Sequence, residues 1–158
     1  MSDPFVPDDG ALFETIYPAL YRLASVVSPP ECDPDDLIQD VTARALRRGP
    51  LAELANPTAY LCRSIINLAA NERRRLGRLR HALTRLEPGG RRSHPEYPSD
   101  IAELMSLSPM NRAVLWLADI EGRSFDEIAT MLDCSAQAAR TRAARARRQV
   151  RRLIEDDA

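Results

Sequence analysis

Apolar residues in this chain recur three and four positions apart almost from end to end, with no sustained alternation of period two. That spacing belongs to the α-helix and argues against a core built on a sheet. Leu12, Ile16, Leu20, Leu23 and Val27 mark one face of a first helix over residues 11–27, in which Pro18 is expected to kink or restart the chain. A second helix begins at Asp33, a good N-cap, with Pro34 suited to its first turn and Asp35 and Asp36 to its positive end. Leu37, Val41 and Ala45 point inward, and Arg47 and Arg48 close the helix before Gly49-Pro50.

After the short loop PLAELAN, Asn56-Pro57 opens a long third helix with an expected buried stripe of Leu61, Ile65, Leu68, Leu76 and Leu79. Its other face carries Arg63, Asn67, Asn71, Arg74 and Arg78, three or four apart, as a polar-to-basic ridge. Residues 81–99, HALTRLEPGGRRSHPEYPS, hold two glycines and three prolines without periodicity and read as a flexible linker. Beyond it, residues 101–107 place Ile101, Leu104 and Met105 inward. Ser108-Pro109 caps a helix carrying Val114, Leu115, Leu117, Ala118 and Ile120, which Gly122 ends. Ser124 and Glu127 have the spacing of a capping box. The chain therefore reads as all-α, with two small helical domains over residues 10–80 and 100–155 joined by the linker 81–99.

Charge decides what such domains would meet. The net charge of −1 conceals blocks: residues 61–92 carry nine arginines against two acids, and residues 135–154 carry seven arginines and no acid. An acidic block precedes each, and every cation is arginine. Two separate arginine-rich helices point to a polyanion as the partner. Cys32, Cys62 and Cys134 are scattered singly, without CxxC spacing, and read as buried or half-buried thiols. No metal-ligand spacing, catalytic triad or glycine-rich phosphate loop is present, so neither an enzyme nor a metal or other cofactor is expected. The apolar runs are too short to span a bilayer, and MSDPFVPDDG lacks the order of a signal peptide, so the expected compartment is the cytoplasm.

The stretch SFDEIATMLDCSAQAARTRAARARRQVRR is the most informative. Phe125, Ile128, Ala129 and Leu132 form the apolar face of one helix; Ala139, Ala143, Ala146, Val150 and Leu153 form that of the next. Alanines at the crossing let the two backbones approach, while Arg140, Arg142, Arg145, Arg147 and Arg148 fan outward. Two helices joined by a tight turn, the second basic, make a DNA-reading helix-turn-helix. The alternative is a helical hairpin with a solvated basic face. In the DNA-reading arrangement Ser135, Gln137, Ala138, Arg140, Thr141, Arg142 and Arg145 supply the contacts, early residues to base edges and arginines to phosphates. Asp133 stands at the turn position usually given to Gly, and Asp tolerates the left-handed conformation required there.

Three segments, in order, resemble bacterial RNA polymerase sigma factors of the extracytoplasmic-function type. CDPDDLIQDVTARAL resembles the region 2 helix that docks on the β′ clamp helices of the polymerase. YLCRSIINLAANERRR resembles the segment that reads and opens the minus-ten element. LSPMNRAVLWLADIEGRSFDEIATMLDCSAQAARTRAARARRQVRRL resembles region 4, which reads the minus-thirty-five element. The resemblance implies a factor that binds core RNA polymerase, through the β′ clamp helices and β flap, and directs initiation at promoter DNA, with an anti-sigma factor as a further partner.

Position by position, it puts Asp36, Gln39 and Asp40 on the docking motif and Asn67, Arg74 and Arg75 on the minus-ten segment. It puts Arg140 and Arg142 on the recognition helix and makes the loop 49–56, with Glu53 and Asn56, a holder of an extruded base. Asn71 stands where an acid is frequent, Tyr60 where Trp is common, and Gln137-Ala138 where Gly-Thr is usual. A helix-turn-helix regulator acting without polymerase would give the acidic helix no role. A helical adaptor mimicking a sigma factor would give none to Arg140 and Arg142.

Overall fold

The computed structural model describes residues 8–86 and 104–156, and among them every regular element is helical. Helix α1 spans Asp9–Val27 and runs unbroken through Pro18, so the chain does not restart there. Proline costs the helix one backbone donor, and burial of Ile16, Leu20, Leu23, Ala24 and Val27 along the same helix outweighs that loss. Helix α2, Pro34–Arg48, starts as its sequence dictates: the Asp33 carboxylate accepts the backbone N–H of Asp35 at 2.8 Å. Leu37, Ile38, Val41 and Ala45 face inward.

A single 3-10 turn, Leu51–Glu53, leads to α3, Pro57–Leu86, which runs six residues into the expected linker. The inner face of α3 is Leu61, Cys62, Ile65, Ile66, Leu68 and Ala69, all buried. Leu76 is half-buried and Leu79 is 50% exposed, because the helix has by then run past the body of the first module. The rest of the expected linker, 87–99, lies outside the described residues, as does Ile101.

Residues 104–106 form one helical turn, with Leu104 exposed rather than inward and Leu107 fully buried behind it. Helix α4, Pro109–Asp119, is capped by Ser108, whose hydroxyl accepts from the Asn111 N–H. Val114 and Leu117 are buried, whereas Ile120, expected inward, is 74% exposed where the chain turns away. Gly122 makes that turn at φ +64, a conformation an L side chain enters at a cost of about 1–2 kcal/mol. Helix α5, Phe125–Leu132, carries both arms of the capping box: Ser124 Oγ accepts from the Glu127 N–H, and Glu127 Oε2 accepts from the Ser124 N–H. Helix α6, Ala136–Asp156, crosses it on Ala139, Ala143 and Ala146, each with no exposed surface.

The two modules do not stand apart. One continuous core joins α1, α2 and α3 to Ala113, Val114 and Leu117 of α4, Ile128 and Leu132 of α5 and Ala139 and Ala143 of α6. Arg112, only 5% exposed, reaches from α4 to donate to the Val26 carbonyl at 3.1 Å and to the Leu107 carbonyl at 3.2 Å. Burial, with the nearby Arg73 charge second, lowers its pKa to about 10, so it remains a cation at neutral pH. The Arg112 Nε and the buried hydroxyl of Ser28, which caps α1, have no hydrogen-bond partner among the described residues.

Candidate nucleic-acid interface

Helix α6 owes its presentation to small residues on its inner side. With three alanines against α4 and α5, its backbone sits close to the module and its long side chains project outward. Gln137 and Arg145 are exposed, and their side chains have no hydrogen-bond partner among the described residues. Arg140 is exposed too, and its guanidinium lies 5.9 Å from the centre of the Phe125 ring, a cation–π contact that steadies it without neutralising it. Arg145, Arg148 and Arg152 line a shallow basic groove toward the helix C-terminus. Arg152 was not among the predicted contacts, although its spacing of seven from Arg145 could have found it.

Other predicted contacts are differently employed. The Ser135 hydroxyl accepts from the Ala138 N–H at 3.0 Å and so caps the helix, leaving only its proton for a partner. Thr141 donates to the Gln137 carbonyl, and Arg142 is half-buried on the flank of the helix, as is Ala138. Arg147 does not fan outward: it forms a two-pronged ion pair with Asp119 of α4, at 3.0 and 2.5 Å. That hydrogen bond holds the Asp119 pKa below its ordinary value and raises that of Arg147.

On α3 the ridge exists as spaced: Arg63, Asn67, Asn71, Arg74 and Arg78 are all exposed. Arg74 donates to the Asn71 side chain, tying two rungs together, while Asn67 and Arg78 have no partner among the described residues. Arg75 leans instead on Glu72, with its Nε 2.9 Å from the carboxylate. Arg63 is taken by the other module, donating to the Asp133 carbonyl at 2.7 Å and to its carboxylate at 3.1 Å. Asn56 is exposed beside this ridge, but its side-chain oxygen accepts from the Ala59 N–H at 3.0 Å, so it serves as the cap of α3. Only its amide protons remain for a base. Glu53 is exposed in the same loop.

A third surface is acidic. Asp36 and Gln39 are exposed on α2 without partners among the described residues, and Asp40 is held by both prongs of Arg44 at 2.8 Å. Its neighbour Asp35 accepts from the Tyr17 hydroxyl, which raises the Tyr17 pKa to about 12, and so helps fix the start of α2 against α1. Among the described residues no His, Cys, Asp and Glu cluster could hold a metal, and no helix is long and apolar enough to cross a membrane. The cysteines are free thiols: Cys62 is buried, which pushes its pKa up to about 12, and Cys32 and Cys134 are half-buried.

Both modules are shared with known proteins. The family described as Sigma-70 region 2 matches residues 12–79, and that described as Sigma-70, region 4 matches residues 101–150. The chain is 31% identical over 143 residues to the ECF RNA polymerase sigma factor SigE of Mycolicibacterium smegmatis. That match covers 84% of the chain and 56% of the relative, so the chain spans little more than half the relative's length. Its fold is similar to that of the sigma factor RpoE solved with the anti-sigma factor NepR from Bartonella quintana. There the TM-score is 0.63 at 23% identity, over 94% of this chain and 98% of that one.

Proposed function

Because the chain belongs to the sigma-70 family, and to its extracytoplasmic-function type, we propose that it binds core RNA polymerase and directs initiation at specific promoters. One observation carries the reading: two arginine-bearing faces on different helices, α3 and α6, accompany an exposed acidic face on α2 whose Asp36 and Gln39 side chains have no partner among the described residues. A plain DNA-binding regulator needs one reading helix and has no use for that acidic face. Here α6 reads the upstream element through Gln137, Arg140 and Arg145, with Arg148 and Arg152 on flanking phosphates. The ridge Asn67, Asn71, Arg74 and Arg78 takes the downstream element, and Asn56 offers its amide protons to an extruded base.

The near-zero net charge gives little long-range steering, so affinity for DNA by the chain alone is weak and salt-sensitive. Polymerase, by holding both modules, raises the effective concentration of each at its element. The 17 residues from 87 to 103 could span at most about 60 Å, ample for two sites on one duplex. The protein works in the cytoplasm, catalyses no reaction of its own, and has an anti-sigma factor as a further partner.

The test is transcription in vitro with purified core polymerase on a library of promoter fragments. Start-site-specific transcripts that depend on the added chain are expected. Their absence, together with specific duplex binding by the chain alone, would replace this reading with that of an independent regulator. Asp36→Arg is expected to abolish co-purification with core polymerase while the helical circular dichroism stays unchanged.

A further inference from the structure

Helix α6 carries no acid before Glu155, and the neighbours of Arg140 four residues away on each side are Ala136 and Ala144. No carboxylate of its own helix is therefore within reach of the Arg140 guanidinium, which has no hydrogen-bond or ion-pair partner among the described residues. Left to itself, such a side chain samples many rotamers, and a base contact would have to arrest them. One group stands against it: the Phe125 ring of α5, whose centre is 5.9 Å from the guanidinium carbon.

That ring is itself held. Phe125 is the first residue of α5, and the two arms of the capping box, at 2.8 and 3.1 Å, fix the backbone on either side of it. Its side chain is half-buried and packs against the shared core. Because α6 crosses on buried alanines, ring and guanidinium are placed by two packed helices and not by a loop. Other arginines of α6 are steadied differently. Arg147 is taken by Asp119, and Arg148 donates to the Ala144 carbonyl of its own helix at 3.4 Å. Those contacts use up N–H donors. An aromatic ring offers the cation its negative face and no lone pair, so the five N–H groups of Arg140 stay available.

We propose that Phe125 is a positioning residue for sequence recognition: it holds Arg140 in the orientation from which the guanidinium reaches a base edge, and through Arg140 it sets the discrimination at one base pair. The inference rests on the reading of α6 as the helix that meets the upstream element. Its physical content is preorganisation, since rotamer freedom already lost in the free chain is not lost again on binding. An exposed contact of this kind is worth about two- to fivefold in affinity.

The experiment uses the full chain bound to core polymerase and a pool of duplexes randomised across the upstream element, with the retained sequences counted. Arg140→Ala should abolish preference at one base-pair position. Phe125→Leu, which keeps an apolar side chain against the core, should relax preference at that same position by about two- to fivefold. Preferences elsewhere and the salt dependence of binding should not change, because a lost phosphate contact would weaken every sequence alike and lower the salt slope. Phe125→Tyr should retain the wild-type preference, and Phe125→Leu should add nothing to Arg140→Ala. A loss spread over many positions, a loss that persists beside Arg140→Ala, or no rescue by Phe125→Tyr overturns the proposal.

A second measurement needs no DNA. In proton NMR of the free chain the Arg140 side-chain resonances should be displaced by the ring current, and Phe125→Leu should return them to ordinary positions. Undisplaced resonances in the wild type overturn the proposal whatever the binding shows. A polymerase complex that selects no sequence overturns the initiation reading, and this role with it. Displaced resonances would even then establish the ring contact, so the two failures are distinguishable.

Discussion

At residue scale the most instructive positions are those with two claims on one side chain. Asn56 was placed at an extruded base by resemblance and is found capping α3 through its oxygen. The two roles use different atoms and so can be separated. Asn56→Asp keeps the capping acceptor and removes the amide donors, so thermal stability should hold while promoter opening, read by permanganate reactivity, falls. If opening is unaffected, the base-contact role is wrong. Asp133 is a similar case: its left-handed backbone at φ 50 was legible from the turn, but its pairing with Arg63 was not. Sequence patterns report on neighbours along a helix, and this partner is 70 residues away. Asp133→Ala should cost about 1–2 kcal/mol in urea unfolding through left-handed strain, whereas Asp133→Gly should cost less.

At the scale of elements, helix starts were the best-read features because capping is local chemistry. Asp33, Ser108 and Ser124 all cap as their spacing requires. Helix ends and faces were read less well. The glycines and prolines that signalled a linker begin only at Pro88, so nothing in residues 81–86 stops α3, and it runs on past the body with Leu79, Leu83 and Leu86 exposed. The α5 capping box makes a pH prediction. Its hydrogen bonds to Ser124 hold the Glu127 pKa below the ordinary 4.5, so the charged carboxylate is the stabilising form. That contribution is present above the ordinary value and is lost as pH falls through the lowered one. The thermal midpoints of wild type and Glu127→Gln should therefore differ at pH 7 and converge in acid. Ser124→Ala should cost about 1 kcal/mol, measured by urea denaturation at neutral pH.

For the whole molecule, the order of two helical modules was legible in the charge blocks and the linker, but their union in one core was not. Apolar faces of α1 and α3 read as serving their own module, and nothing in their spacing says that Val114, Leu117, Ile128 and Leu132 share the same interior. A shared core predicts a single cooperative transition. Trp116 fluorescence, reporting the second module, and Cys62 thiol labelling, reporting the first, should give coincident urea midpoints at low salt. Two separated midpoints would mean that the modules unfold independently. Helix α3 has a further consequence of a mechanical kind. At about 1.5 Å per residue its 30 residues make a rod of about 45 Å, gripped at one end by four other helices and exposed from Gly77 to the other, where an Arg80–Glu31 ion pair is its tie to the body among the described residues. Such a cantilever turns a small bend near its clamp into a large sweep at its tip. A proline introduced near Ala70 would swing Arg78 out of line by more than about 20°, while the same defect near the tip would displace almost nothing. Leverage of this sort makes the waist of the rod the least forgiving place to alter.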